Sequence, residues 1–311
     1  MAFSLRKSSP GGFVGLDIDG DFLAAVEING NVVMRAVSAD LPPGVMVGGE
    51  VKDPGALTDH LKSLFKIHGL PKRVRLGVAS QQIAVRQIEL PVIGDQGERD
   101  AAVRFLAGDA IPMPLEDAVL DHQIVGTTTG DDGSTRMQIV VVAARRTMIE
   151  EIVEAVRSAG LKPEGIDLDA FALVRTLANG AGPVDDSPAR VHCHLGGVTN
   201  LAVASGSTCT FTRPLTSEWS TGGDLSAPLA DEIRLSIDYY TAQPGARRVS
   251  EVVLSGPGAR SEELHAGLNN HLGLPVSAAR PLGAIDPSPI AEGEDPYRHT
   301  IATGLALGAT A

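Results

Sequence analysis

Three glycine turns are the places where this sequence could handle an anion. Val14-Gly15-Leu16-Asp17-Ile18-Asp19-Gly20-Asp21 reads as strand, acidic turn and the start of a second strand. Leu195-Gly196-Gly197-Val198-Thr199 takes the same place in a later run of the same plan. Leu254-Ser255-Gly256-Pro257-Gly258-Ala259 follows a strand and is expected to open a helix. Glycine allows close backbone approach, and neighbouring N–H groups there make a concavity suited to phosphate. Each turn alone has a bland explanation, because strand turns often carry glycine. Their matched order, one per half and a third before a helix, is what raises the interest of the set. Asp17 and Asp19 add hard carboxylate oxygens of the kind that hold Mg²⁺.

Other chemistries find less support. There is no G-x-x-x-x-G-K-[ST] and no G-x-G-x-x-G after a strand, so the usual phosphate-loop and dinucleotide signatures are missing. The eight histidines show no zinc-like grouping. His192 and His194 flank Cys193, which puts the two imidazoles on one strand face and the thiol on the other. No serine, histidine and acid can be grouped as a nucleophilic set. Cys193 and Cys209 lie in apolar strand-like runs and read as two buried free thiols in neighbouring strands.

The elements around the turns can be read from their pattern. Residues 13–37 are three apolar runs broken by two tight turns, the second marked by Asn29-Gly30. Residues 191–213 repeat that layout, with Ser205-Gly206-Ser207 at the second turn. Two meanders of one plan suggest a duplicated architecture with one meander opening each half. Asp53-Pro54 starts a helix striped by Leu57, Leu61, Leu64 and Phe65 and stopped by Gly69. Further helices are expected over 98–110, along Ile149 to Val156, from Leu229 to Tyr240 ending near Pro244, and from Leu264 to Leu272. Strands are expected at 74–79, 83–90, 118–126, 137–143 and 251–255. The Gly, Pro and Asp-rich stretch 179–190 reads as a linker between halves. Residues 127–136 read as a hairpin tip, and 286–296 as a surface loop. This mixture predicts an α/β protein with mixed sheets.

Composition narrows the partners. The chain has 311 residues, 43% of them hydrophobic and 21% charged, which suits one large domain or two ordinary cores. A net charge of -12 argues against nucleic acid as a partner and against direct docking on anionic lipid. The start MAFSLRKSSPGG has no apolar run behind its basic residues, and no stretch approaches the roughly 18 apolar residues of a spanning helix. The expectation is a cytoplasmic protein without membrane insertion, brought to the inner membrane by its partners.

Much of the chain resembles the PilM family of type IV pilus assembly proteins, relatives of the division protein FtsA and of actin. The residues that carry the resemblance are VGLDIDGDFLAAVEI (14–28), LPPGVMVGGEVKDPGAL (41–57), IPMPLEDAVLDHQIVG (111–126), IVVVAARRTMIEEIVEAVRSAGLKPEGIDLDAFALVR (139–175), GGDLSAPLADEIRLSIDYY (222–240), LSGPGARSEEL (254–264) and TIATGLALG (300–308). The resemblance implies an actin-like, duplicated ribonuclease-H-like fold of two lobes. It implies a first lobe from 12–80 and 165–180, an inserted FtsA-type subdomain at 81–164, and a second lobe from 188–311 with a small part near 222–250. It also implies a partner, the N-terminal cytoplasmic tail of a PilN-type inner-membrane protein bound on the first lobe, and through it other pilus inner-membrane components. ATP with Mg²⁺ is the cofactor of the fold, and the resemblance places it at Asp17, Asp19, Gly20, Asp21, Gly196, Gly197, Thr199, Gly256 and Gly258.

The departures from the family pattern lie in that same place. Asp19-Gly20-Asp21 stands where a Gly-Ser-Ser type of turn is usual, and Ala24 where lysine is common. His194 replaces an acidic residue, and Pro257 removes one N–H from the third turn. The expectation is a scaffold with a degenerate nucleotide site, weak or absent ATP binding and negligible turnover, because Asp19 and Asp21 repel phosphate unless they bridge to it through Mg²⁺. The competing readings are an active actin-like ATPase coupled to pilus assembly and an FtsA-like division protein. The second of these would carry an amphipathic C-terminal helix, and TIATGLALGATA has no basic face for lipid.

Overall fold

The computed structural model describes residues 12–30, 32–130, 133–178, 187–217, 219, 224–243, 245–280, 282 and 285–308. Most of the expected linker, together with Asn31, Pro244 and residues 222–223, lies outside them. The first stretch runs through β1 (Phe13–Ile18), β2 (Phe22–Asn29), β3 (Val32–Asp40), the short pair β4 (Met46–Val47) and β5 (Glu50–Val51), α1 (Pro54–His68) and β6 (Arg73–Val78). It continues with β7 (Ile83–Pro91), α2 (Gln96–Ala110), β8 (Ala118–Thr129), β9 (Thr135–Arg145), α3 (Arg146–Ser158), β10 (Lys162–Leu168) and α4 (Asp169–Leu177). After the linker come β11 (Ala189–His194), β12 (Asn200–Ser205), β13 (Thr208–Pro214), α5 (Ser226–Thr241), β14 (Val249–Ser255), α6 (Glu262–Leu272), β15 (Val276–Ala278) and α7 (Thr300–Leu307).

The duplication is visible in the sheets. The first has the order β10-β6-β1-β2-β3 and the second β13-β12-β11-β14-β15. In each, a meander of antiparallel strands contributes its first strand to the centre, and two later strands add in parallel beside it. The hairpin turns match as well, with Asn29 opposite Val32 and Ser205 opposite Thr208, and Gly30 and Gly206 at φ 61° and 56°. That left-handed backbone is open to glycine at little cost.

Local signals explain the long helices. Asp53 caps α1 by accepting the Ala56 N–H at 2.9 Å, Pro54 sits in the first turn, and Gly69 at φ 59° closes the helix. Asp95 caps α2 and Ser261 caps α6 in the same way. The third glycine turn departs from expectation. Pro257–Arg260 form a short 3₁₀ turn, and α6 begins only after Ser261.

Two helices, α4 and α7, lie between the two sheets. All eight residues of α7 are buried. Its Ala302 and Ala306 pack on Phe22, Ala24 and Val26 of the first sheet, although α7 follows the second sheet in sequence. Gly15 of β1 makes this possible, since a Cβ there would strike the Ala302 carbonyl and the Ala306 amide. The other side of α7 meets α4, where Ile301 and Leu305 join Ala172 and Leu173. In turn α4 covers Ala202 and Ala204 of β12 with Ala170 and Val174. Small residues at every step bring the layers close.

Residues Gln81–Ile152 form a compact unit of their own. It is a β7-β9-β8 antiparallel sheet with Val103 and Ala107 of α2 packed on Ile139 and Val141 of its central strand.

The cysteines need correction. Both are free thiols, but only Cys193 is fully buried and Cys209 is half-buried, and β12 lies between their strands, with Cys193 opposite Leu201 and Cys209 opposite Ala204.

Candidate functional site

The first two glycine turns touch. Asp19 ends the β1 strand region, and its N–H donates to Phe22 O at 3.0 Å to close the turn. Its side chain crosses to the second turn, where Oδ1 accepts the Gly197 N–H at 2.7 Å. Oδ1 also accepts the Asp21 N–H at 3.4 Å. The glycines are required by this closeness. A Cβ on Gly196 would collide with Asp19 Oδ2, and one on Gly197 with Asp19 Oδ1 and the Gly20 amide. A Cβ on Gly20 would lie 3.1 Å from Gly197 Cα. Asp21, by contrast, is exposed and offers only its amide to the turn.

The third turn leans on the second from the side of β14. Leu195 N–H donates to Ser255 O at 2.9 Å, and Gly258 N–H to Leu195 O at 3.2 Å. Gly256 has φ 81°, and a Cβ there would press on His194 and Leu195. His194 Nδ1 lies 3.0 Å from Ser255 Oγ, while its Nε2 is buried without a hydrogen-bond partner. The indole of Trp219 packs directly against Gly258, closer than a side chain at that position would permit. Thr199 is buried too; its carbonyl accepts the Leu215 N–H at 2.8 Å and its hydroxyl has no partner.

Burial dominates the electrostatics. Asp17 lies at 2% exposure in β1, and burial, then Asp169 and Asp19, push its carboxyl well above the ordinary range. Burial raises Asp19 to about 6, against the lowering effect of the N–H groups from Gly197, Asp21 and Gly20. Burial, then Asp19 and Asp167, raise Asp169 to about 8. Burial lowers His194 to about 4, so it stands neutral at pH 7 and cannot replace a cation. Asp169, at the first position of α4, escaped the sequence reading. The only signal was its place directly after a strand, in the run Ile166-Asp167-Leu168-Asp169. Trp219 was missed as a member of the site because it has no motif of its own, and Ser255 because only the glycines of the third turn were singled out.

Among the described residues, no three His, Cys, Asp or Glu side chains converge as a group that could hold a metal ion. A phosphate set at the first two turns would need their N–H groups. The Gly197 N–H already points at Asp19 Oδ1, and Asp19 Oδ2 lies against Gly196. With Asp19 in place the residues do not fit a phosphate there.

The family model described as type IV pilus assembly protein PilM matches residues 15–213, well over half of the chain. This chain belongs to the PilM family. Among solved structures, the PilM of a PilM–PilN type IV pilus biogenesis complex is 26% identical. That match covers 96% of this chain and 98% of the other, with a TM-score of 0.81. The cytoplasmic domain of EpsL, an inner-membrane component of the type II secretion system of Vibrio cholerae, is similar in fold alone. It is 12% identical over 96% of this chain and 95% of its own, with a TM-score of 0.51. The fold of this PilM-family chain is therefore that of the PilM in the PilM–PilN complex, a mixed α/β class with duplicated sheets, and type IV pilus assembly is the role its family carries. No helix among its described residues is long and apolar enough to cross a membrane.

Proposed function

We propose that this chain is a cytoplasmic scaffold of a type IV pilus machine that holds the N-terminal cytoplasmic tail of a PilN-type inner-membrane protein. Through that tail it would join the other inner-membrane components of the machine. The observation that carries this reading is the likeness, at TM-score 0.81 across nearly the whole chain, to a PilM found in complex with PilN. The tail is expected to add as an extended segment to an edge of the first sheet, where backbone pairing gives affinity and side-chain pockets give choice. On β3 that edge already carries a parallel bridge between Ala36 and Ile290. The other edge strand, β10, is thus the candidate for docking.

In this reading ATP turnover is not the chain's work. Asp19 holds the N–H that a phosphate would need, and neutral His194 stands where the resemblance leads one to expect a carboxylate. The test is co-purification from native membranes under mild detergent. Recovery of the PilN-type protein and its inner-membrane partners with this chain is expected. Recovery of the chain alone, with the partners intact in the same membranes, sinks the proposal.

A further inference from the structure

We infer that Asp19 is a built-in anion that occupies the phosphate place of this fold, so that the chain keeps its two phosphate turns joined without a nucleotide. The inference deepens the scaffold reading and rests on it for the nucleotide site alone. Four observations carry it. Asp19 Oδ1 takes the Gly197 N–H at 2.7 Å, a distance typical of a charge-assisted bond. Both carboxylate oxygens lie against the glycines of the second turn, in space that any Cβ would fill. The Asp21 N–H converges on the same oxygen, so the carboxylate is cradled by amides from both turns, as an anion ligand would be. In the third turn, Trp219 packs on Gly258, which places an aromatic ring of the chain itself against the glycine loop.

In a protein that closes around a nucleotide, the ligand's phosphates bridge the two turns. Here the bridge is covalently attached to the first turn and so is always present beside the second. Three buried side-chain atoms without a hydrogen-bond partner, Asp17 Oδ2, His194 Nε2 and Thr199 Oγ1, belong to the first two of these turns and their strands. They are groups that a ligand-binding version of the site would satisfy. A scaffold that must hold one conformation whatever the nucleotide level gains from such a replacement, because its two sheets stay in one arrangement.

The test uses Asp19→Ser and Asp19→Gly in the full chain, with inorganic pyrophosphate and Mg·ATP as probes. Trp219 is the single tryptophan, so its fluorescence reports on the third turn directly. Wild type is expected to show no change up to about 1 mM probe, and the variants to bind at least about tenfold more tightly than wild type. Variants that match a silent wild type overturn the inference and leave the scaffold reading standing. Tight Mg·ATP binding by wild type overturns both this inference and the degenerate nucleotide site. Should both variants fail to fold, the wild-type Gly197 amide decides. A slowly exchanging, downfield resonance that pyrophosphate does not move is expected. A fast-exchanging amide, or one that pyrophosphate shifts, contradicts the inference.

Discussion

Gly304 of α7 lies directly against the backbone carbonyl of Ala172 in α4, nearer than any residue with a Cβ could come. Thr176 seals the same contact with its single hydroxyl proton shared between Thr300 O at 2.8 Å and Ala172 O at 3.0 Å. Arg175 adds a donation to Gly304 O at 2.7 Å. This crossing joins the layer on the first sheet to the layer on the second.

Gly304→Ala should therefore destabilise the chain although it favours helix. The new methyl meets backbone on α4, which cannot swing aside as a side chain can. Overpacking of this kind costs about 1–3 kcal/mol or more. Urea denaturation followed by circular dichroism checks it. A variant as stable as wild type would show that the two helices part without cost.

Glu294 fastens the segment before α7 to the edge of the first sheet. It accepts from Ser38 N–H at 3.2 Å and from Ser38 Oγ at 2.7 Å, beside buried His299 at 3.6 Å. Ile290 pairs with Ala36 in the same place. Glu294→Ala should cost about 1–3 kcal/mol for the lost partners. It should also raise hydrogen exchange at the Ser38 amide before it affects the β11 amides. Equal exchange rates at Ser38 in variant and wild type would refute the clamp.

Asp169 gives a pH signature. Its folded value is raised to about 8, above the ordinary carboxylate value of about 3.9 in an unfolded chain. Stability from the protonated form is fully present below about pH 4 and is lost as pH rises through about 8. Asp169→Asn removes that loss. The variant should gain on wild type between pH 5 and pH 8, with the difference in melting temperature widening by at least about 2 °C. His192 and His194, lowered to about 4, act alike in both proteins and cancel in the difference. A difference that is flat with pH would show that Asp169 is ionised at little cost.

The thiols should be inert in the native state. Burial pushes both Cys193 and Cys209 up to about 12, which leaves almost no thiolate at pH 8. Two thiols per chain should appear in denaturant and react far more slowly before it. Rapid native labelling of Cys193 would contradict the burial of β11.

The elements that follow a periodic rule were legible in the sequence. The paired meanders show in Asn29-Gly30 and Ser205-Gly206, and α1 shows in Asp53-Pro54 and Gly69. The helices that join the sheets were not. In α7 every residue is buried, so Thr300 to Leu307 has no polar face to set a period, and α4 is short with small residues on two sides. At the site, sequence pointed to the turn holding Asp19 and Asp21 but could not tell the two carboxylates apart. They are two residues apart across a turn, and only the fold sends Asp19 inward to Gly197 and leaves Asp21 in solvent. Trp219 and Asp169 reach the turns through tertiary packing, which no spacing in the chain records.

The central claim is that this chain captures a membrane partner by its extended tail. Titration calorimetry with a synthetic peptide of the N-terminal cytoplasmic tail of the PilN-type protein from the same cell tests it most directly. One-to-one binding at or below about 100 μM, equivalent to about 5.5 kcal/mol, is the result expected, and it should be indifferent to added Mg·ATP. No heat of binding at that concentration, from a chain shown to be folded, would contradict the account.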